Sequence, residues 1–146
     1  MPGSYFATPW RLEHGALLDL GPHVLDALEA ALGPIVDISA RGDVNKIVFL
    51  ECAHEQGRIS QAALCATTNQ DGGLCVEVHG LDGRRRFDAG ALDPDQLRVE
   101  MRTASHRIVA EFVECIRNGR SHELDVHRGL HVQRLIDIAA AQLATT

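Results

Sequence analysis

Ile47-Val48-Phe49-Leu50-Glu51-Cys52-Ala53-His54 reads as a β-strand, and the fold follows from it. Branched and aromatic side chains suit a pleated, packed surface, and the run is too short for a buried helix. Gln56-Gly57 supplies a hairpin turn into a second run, Arg58–Thr67. Upstream, Ile35–Arg41 has the same character. Downstream, Asn69-Gln70-Asp71-Gly72-Gly73 is another turn. Beyond it Leu74, Val76 and Val78 alternate with Cys75, Glu77 and His79, the two-faced pattern of a half-buried strand. Leu81-Asp82-Gly83 then turns the chain into Arg84–Asp88. Strands joined by such short turns pair antiparallel, because a parallel pair needs a long crossover. The expectation is one antiparallel, mostly meander sheet of about five to six strands.

Helical periodicity flanks this region. Leu25, Leu28 and Leu32 recur on one helical face and Gly33-Pro34 is a stop signal, predicting a helix over 17–32 with a bend near Gly21-Pro22. Residues 1–14, with Pro2, Gly3 and Pro9, read as an irregular or extended arm whose Tyr5 and Trp10 need cover, for instance from a partner subunit. Toward the other end Ala104, Ile108, Phe112 and Cys115, with Val109, Val113 and Ile116, form a wide apolar stripe that Asn118-Gly119 terminates. The loop Arg120–Val126 leads to a last helix over 127–144 carrying Leu130, Leu135, Ile136, Ile138, Ala139 and Leu143. The whole is an α+β domain, 1–146 as one unit, with helices on one face of the sheet. The strand 47–54 is apolar on both sides, so the open face needs cover too, and a second subunit is the natural candidate for it.

Composition narrows the function. The 146 residues carry 20 acids against 14 bases, a net charge of −6 that disfavours a nucleic-acid surface. Thirteen of the bases are Arg, and Lys46 is the only lysine. Arg84-Arg85-Arg86 is the one basic cluster and reads as a solvated strand edge. No apolar run approaches the ~18 residues of a membrane helix, and no basic-then-apolar leader opens the chain, which makes the cytoplasm the expected setting. Cys52, Cys65, Cys75 and Cys115 lack C-x-x-C spacing, against a zinc knuckle, and reduced thiols are expected there. A symmetric turn at 69–73 would set Cys65 opposite Cys75 and permit a cross-strand disulfide.

Few residues offer chemistry. Asp19 and His23 are four apart, which on a helix sets a carboxylate beside an imidazole and suits proton transfer. Gly21 between them leaves backbone that a substrate could approach. The same residues equally suit an Asp19 cap on a restarted helix with His23 in its first turn. His122, Glu123, Asp125 and His127 crowd one loop and read mainly as solvated polar residues, with metal ligation the lesser reading. His14, His54, His79, His106 and His131 read as ordinary surface or satisfied histidines. None of the 13 glycines forms a G-x-G pair, so the dinucleotide fingerprint is absent, as are a P-loop and a G-x-S-x-G elbow.

Gly15-Ala16-Leu17-Leu18-Asp19-Leu20-Gly21-Pro22-His23-Val24-Leu25-Asp26 resembles the D-x-G-x-H-x-x-D signature of the glucose–fructose oxidoreductase, inositol dehydrogenase and rhizopine-catabolism family (Gfo/Idh/MocA). Val78–Phe87, Glu111–Arg120 and Asp125–Leu130 look like later pieces of that family in the right order, so the likeness spans roughly residues 5–143. It implies the C-terminal substrate and oligomerisation domain of an NAD- or NADP-dependent sugar or polyol oxidoreductase, whose open sheet face builds dimers or larger homo-oligomers. By the resemblance, His23 takes the proton of a substrate hydroxyl, Asp19 orients His23, and Asp26 and Gly21 lie beside the substrate. The family's Rossmann domain and its catalytic lysine have no counterpart here, and Lys46 matches no family lysine. The chain is therefore expected to bind no cofactor alone and to be inactive without a nucleotide-binding part, which a separate chain could supply. The competing expectations are a non-enzymatic dimeric binding or assembly module that kept the fold and, with less behind it, a free-standing hydrolase or isomerase using Asp19 and His23.

Overall fold

A computed structural model describes residues 9–65, 73–91 and 93–144, and their side chains except at 10–14 and 91. In order these form α1 (Pro9–Leu32), β1 (Ile35–Asp43), β2 (Ile47–His54), β3 (Ile59–Cys65), β4 (Cys75–Gly80), β5 (Gly83–Asp88), α2 (Pro94–Asn118) and α3 (Val126–Leu143). The class is α+β with antiparallel pairing throughout. The expected single sheet of five to six strands is corrected: β1-β2-β3 form one sheet and β4-β5 another. Most of the turn expected over 69–73 lies outside the described residues. Cys65 and Cys75 fall on different sheets, and no disulfide forms among the described residues.

The described chain gathers into two compact units, one running to Gln70 and resuming at His131, the other from Asp71 to Leu130. In the first, the core lies between the sheet and two helical stretches. Leu17 and Leu25 of α1, Ile38 and Ala40 of β1, Val48, Leu50 and Cys52 of β2, Leu64 of β3, and Val132, Ile136 and Ala139 of α3 are buried together. The pleat explains the selection. Cys52 pairs with Ile38 and Ser60, and Leu50 with Ala40 and Ala62, so one side of each strand enters the core. Residues on the other side, including Phe49 at 53% and Ile59 at 75% exposure, stay open. The apolar Ile47 and Phe49 thus reflect an uncovered face, as the sequence suggests, and not a second internal layer.

Two boundaries differ from expectation. α1 begins at Pro9, so part of the expected arm is helical; Tyr5 and the Trp10 side chain lie outside the described portion. The interruption in α1 sits at Gly15, not at Gly21-Pro22. Gly15 has φ 64° and ψ −167°, and the chain restarts at Ala16, whose N–H bonds Val44 O at 2.9 Å. Pro22 is carried inside the helix.

β1 is an outer strand, and its free side is met by a side chain. Gln142 of α3 donates from Nε2 to Ile38 O at 3.0 Å and accepts the Ala40 N–H at 2.7 Å, standing in for a neighbouring peptide.

The second unit contains the β4-β5 hairpin, α2 and the start of α3. Helix α2 has complete terminal chemistry: Asp93 accepts from Asp95 N and Gln96 N, Gln96 returns a bond to the Asp93 N–H, and Pro94 follows the cap. Gly119, at φ 58°, closes the other end. Yet no described residue of this unit is buried, and the α2 stripe lies open. Local signals, not packing, start this helix. Asp93→Ala is accordingly expected to cost about 1 kcal/mol, seen as roughly fivefold faster amide exchange at Asp95 and Gln96; unchanged exchange would mean the cap contributes nothing.

A candidate substrate face on helix α1

From Ala16 to Leu32 the α1 backbone is helical, so Asp19, His23 and Asp26 lie along one side of it, four and three residues apart. His23 is exposed, and Asp19 and Asp26 are half-buried. The His23 imidazole stands open to solvent, while Asp19 and Asp26 each have an interaction of their own. Gly21 faces the other way. A Cβ there would lie 2.6 Å from Ile136 Cδ1 and 3.4 Å from Leu17 Cδ1, so its bare Cα lets α1 approach α3 closely.

Behind this face lies a polar arrangement that sequence spacing did not disclose. Glu29, on α1, is buried. Its Oε1 accepts the Ile35 N–H at 2.5 Å and lies 2.8 Å from His131 Nε2. The side chains differ in exposure, 3% for Glu29 and 39% for His131, so the carboxylate carries the desolvation and the imidazole reaches it from the surface. One oxygen thus ties the end of α1, the start of β1 and the side of α3. Glu29 and His131 are 102 residues apart, and only the tertiary fold pairs them.

A second buried group sits under β2. His54 Nδ1 lies 2.6 Å from Gly33 O, and Nε2 lies 2.8 Å from Ser60 Oγ. A carbonyl can only accept, so Nδ1 carries the proton and Nε2 accepts from the Ser60 hydroxyl. Ser60 is the register partner of Cys52. Burial pushes the Cys52 thiol above its ordinary range, and the neighbouring Ser60 side chain opposes this only in part. His54 is thus the satisfied histidine the sequence suggested.

The acidic and histidine-rich loop is structural. Asp125 Oδ1 accepts from His127 N and Arg128 N at the start of α3, and His122 Nε2 meets Glu111 Oε2 at 3.2 Å. No grouping among the described residues has the makings of a metal site. Arg107, ahead of His122, holds the Glu111 carboxyl below its ordinary range. The two backbone N–H groups do the same for Asp125. A depressed carboxyl stabilises the fold above its ordinary value of 3.8 and ceases to as pH falls through the lower folded value. Acidification below that point is therefore expected to speed amide exchange at His127 and Arg128 before the α1 core loosens. Simultaneous loss would show that Asp125 is not a local cap.

The basic cluster is largely neutralised. Glu77 pairs with His79 at 2.7 Å and Arg84 at 3.4 Å, and Arg86 pairs with Asp88. No helix among the described residues is long and apolar enough to cross a membrane.

No family model and no curated protein matches the chain. A solved structure does: an oxidoreductase from Agrobacterium radiobacter in complex with NAD+, L-tartaric acid and magnesium. It is 18% identical, with a TM-score of 0.69 over 97% of this chain, a likeness in fold. The chain spans about half of that protein, 51% of its length.

Proposed function

We propose that this chain is the substrate-binding and oligomerisation domain of an NAD- or NADP-dependent sugar or polyol oxidoreductase of the Gfo/Idh/MocA kind, inactive without a nucleotide-binding part. The observation behind it is that Asp19, His23 and Asp26 lie along one side of an unbroken stretch of α1 with His23 open to solvent. The fold likeness to half of an NAD+-bound oxidoreductase supports it.

His23 accepts the proton of a substrate hydroxyl as hydride leaves the same carbon. Asp19 orients the ring and Asp26 flanks the substrate, while Gly21, turned toward Ile136, sets how closely α1 lies on α3. The coenzyme is a different matter. Dinucleotides sit at the helix that follows a parallel strand with a glycine-rich turn. Every described strand pair here is antiparallel, and the chain has no G-x-G pair. These residues do not fit a dinucleotide, and the nicotinamide and the lysine belong to another part of the enzyme, on a longer polypeptide or a separate chain. A second reading, a dimeric binding or assembly module without activity, draws on the open apolar faces of the sheet and of α2.

Imidazole NMR decides between them. Titrating the chain with inositol, glucose and tartrate is expected to shift the His23 signals saturably with one of these, and Asp19→Asn to weaken that binding roughly tenfold, the loss of one charge-assisted hydrogen bond. Signals that stay still with every ligand, or NAD+ binding to the chain by itself, would sink the first reading.

A further inference from the structure

We infer that Asn118-Gly119, at the end of α2, is a site of spontaneous covalent modification, at which the Asn118 side-chain amide is lost to water through a cyclic imide. The chemistry needs an accessible asparagine amide, the backbone nitrogen of the next residue, and room for the two to meet. Asn118 is exposed. Its neighbour is a glycine, with no side chain to cover the nitrogen, and nothing lies within 4 Å of where a Cβ would stand at Gly119. The Gly119 N–H reaches Ile116 O at a long 3.3 Å, in a final turn where helices fray. The other two asparagines, Asn45 and Asn69, precede Lys46 and Gln70, whose side chains crowd the nitrogen.

The step balances with water as the only other reactant. The Gly119 nitrogen attacks Asn118 Cγ, so a C–N bond forms while the Cγ–Nδ2 bond breaks. The attacking nitrogen gives up its proton, and ammonia leaves. Water then opens the five-membered imide at either carbonyl. One opening leaves aspartate at 118, and the other leaves isoaspartate, whose main chain runs through the former side chain. The surroundings give both products an effect. Glu114 Oε1 lies 2.8 Å from Arg120 Nη2 and faces Asn118 Nδ2 at 3.5 Å. After the reaction a carboxylate stands in place of that donor, beside Glu114 and at the negative end of the helix dipole. Arg120 then serves two carboxylates. In isoaspartate the added methylene also displaces the N–H groups of Gly119 and Arg120 from Ile116 O and Cys115 O. The modification therefore loosens the end of α2, just ahead of the loop in which His122 meets Glu111.

Mass spectrometry of peptides from the full chain tests this, after incubation at mildly alkaline pH and body temperature in heavy-oxygen water. The peptide holding Asn118 should show the mass of an amide exchanged for a hydroxyl, with the heavy isotope incorporated, while those holding Asn45 and Asn69 stay unchanged over the same time. Asn118→Gln should remain unmodified, since the longer side chain closes a six-membered ring less readily, and at an exposed position it leaves the fold intact. Asn118→Asp installs the product charge and should speed amide exchange at Gly119 and Arg120 roughly two- to fivefold. An Asn118 that stays intact while a synthetic peptide of residues 114–122 reacts overturns the inference, because the cap then shields the site. Equal conversion at Asn45 also overturns it, since glycine would then play no part. Unchanged exchange in Asn118→Asp overturns the loosening of α2.

Discussion

Gly15→Ala is expected to cost about 3–5 kcal/mol of stability, a left-handed backbone penalty added to an overpacking one. At φ 64° an alanine is strained wherever it sits. Here its Cβ would also lie 2.1 Å from Val44 O, an atom that cannot rotate aside. The chain must move the β1-β2 turn or break the Ala16 N–H bond to Val44 O, which starts the second stretch of α1. Gly57→Ala is the control. Gly57 has φ 73° with nothing within 4 Å of a new Cβ, so only the backbone term applies, about 1–2 kcal/mol. Denaturant midpoints at equal slope compare the two. Equal losses would show that the approach of Val44 is not what requires glycine. Because Asp19 lies four residues beyond Gly15, the alanine variant should also weaken ligand binding at the α1 face.

Glu29→Ala should cost a similar amount, about 3–5 kcal/mol, because it strands the Ile35 N–H and removes the partner of His131 at once. In a chain of this size that is a fall of about 8–16 °C in Tm. Glu29→Gln keeps an acceptor in place and should lose about 1–2 kcal/mol. His131→Ala should fall between them, since the half-buried imidazole contributes less than the buried amide. If Glu29→Gln proved as damaging as Glu29→Ala, the negative charge itself, and not the acceptor, would be what the site needs.

The elements were legible where the signal is local. Strand periodicity located β2, β4 and β5, and Gly33-Pro34 and Asn118-Gly119 ended α1 and α2 where they do end. The start of α1 was missed because prolines and aromatics before Gly15 read as irregular chain, although Pro is accepted in a first helical turn. The number of sheets was missed because short turns predict which strands neighbour each other, not which hydrogen-bond ladders stay continuous. Asp19 and His23 were visible as a spacing, since helical geometry alone brings them to one side. Glu29 and His131 are not legible, because they stand 102 residues apart and no local period marks a buried carboxylate; Ser60 meets His54 across the β2-β3 hairpin, and strand periodicity does not tell which polar side chains meet there. Gly21 was seen as an opening toward a ligand, and the fold uses it for the close approach of Ile136.

The amide of Gln142 has a consequence for how copies of this protein can grow. By occupying Ile38 O and the Ala40 N–H it blocks the lateral site where a foreign strand would dock. Edge-to-edge pairing into ribbons is thereby hindered at that point of β1. Gln142→Ala would unlock the border, and slow fibril formation by an otherwise folded variant would be its signature.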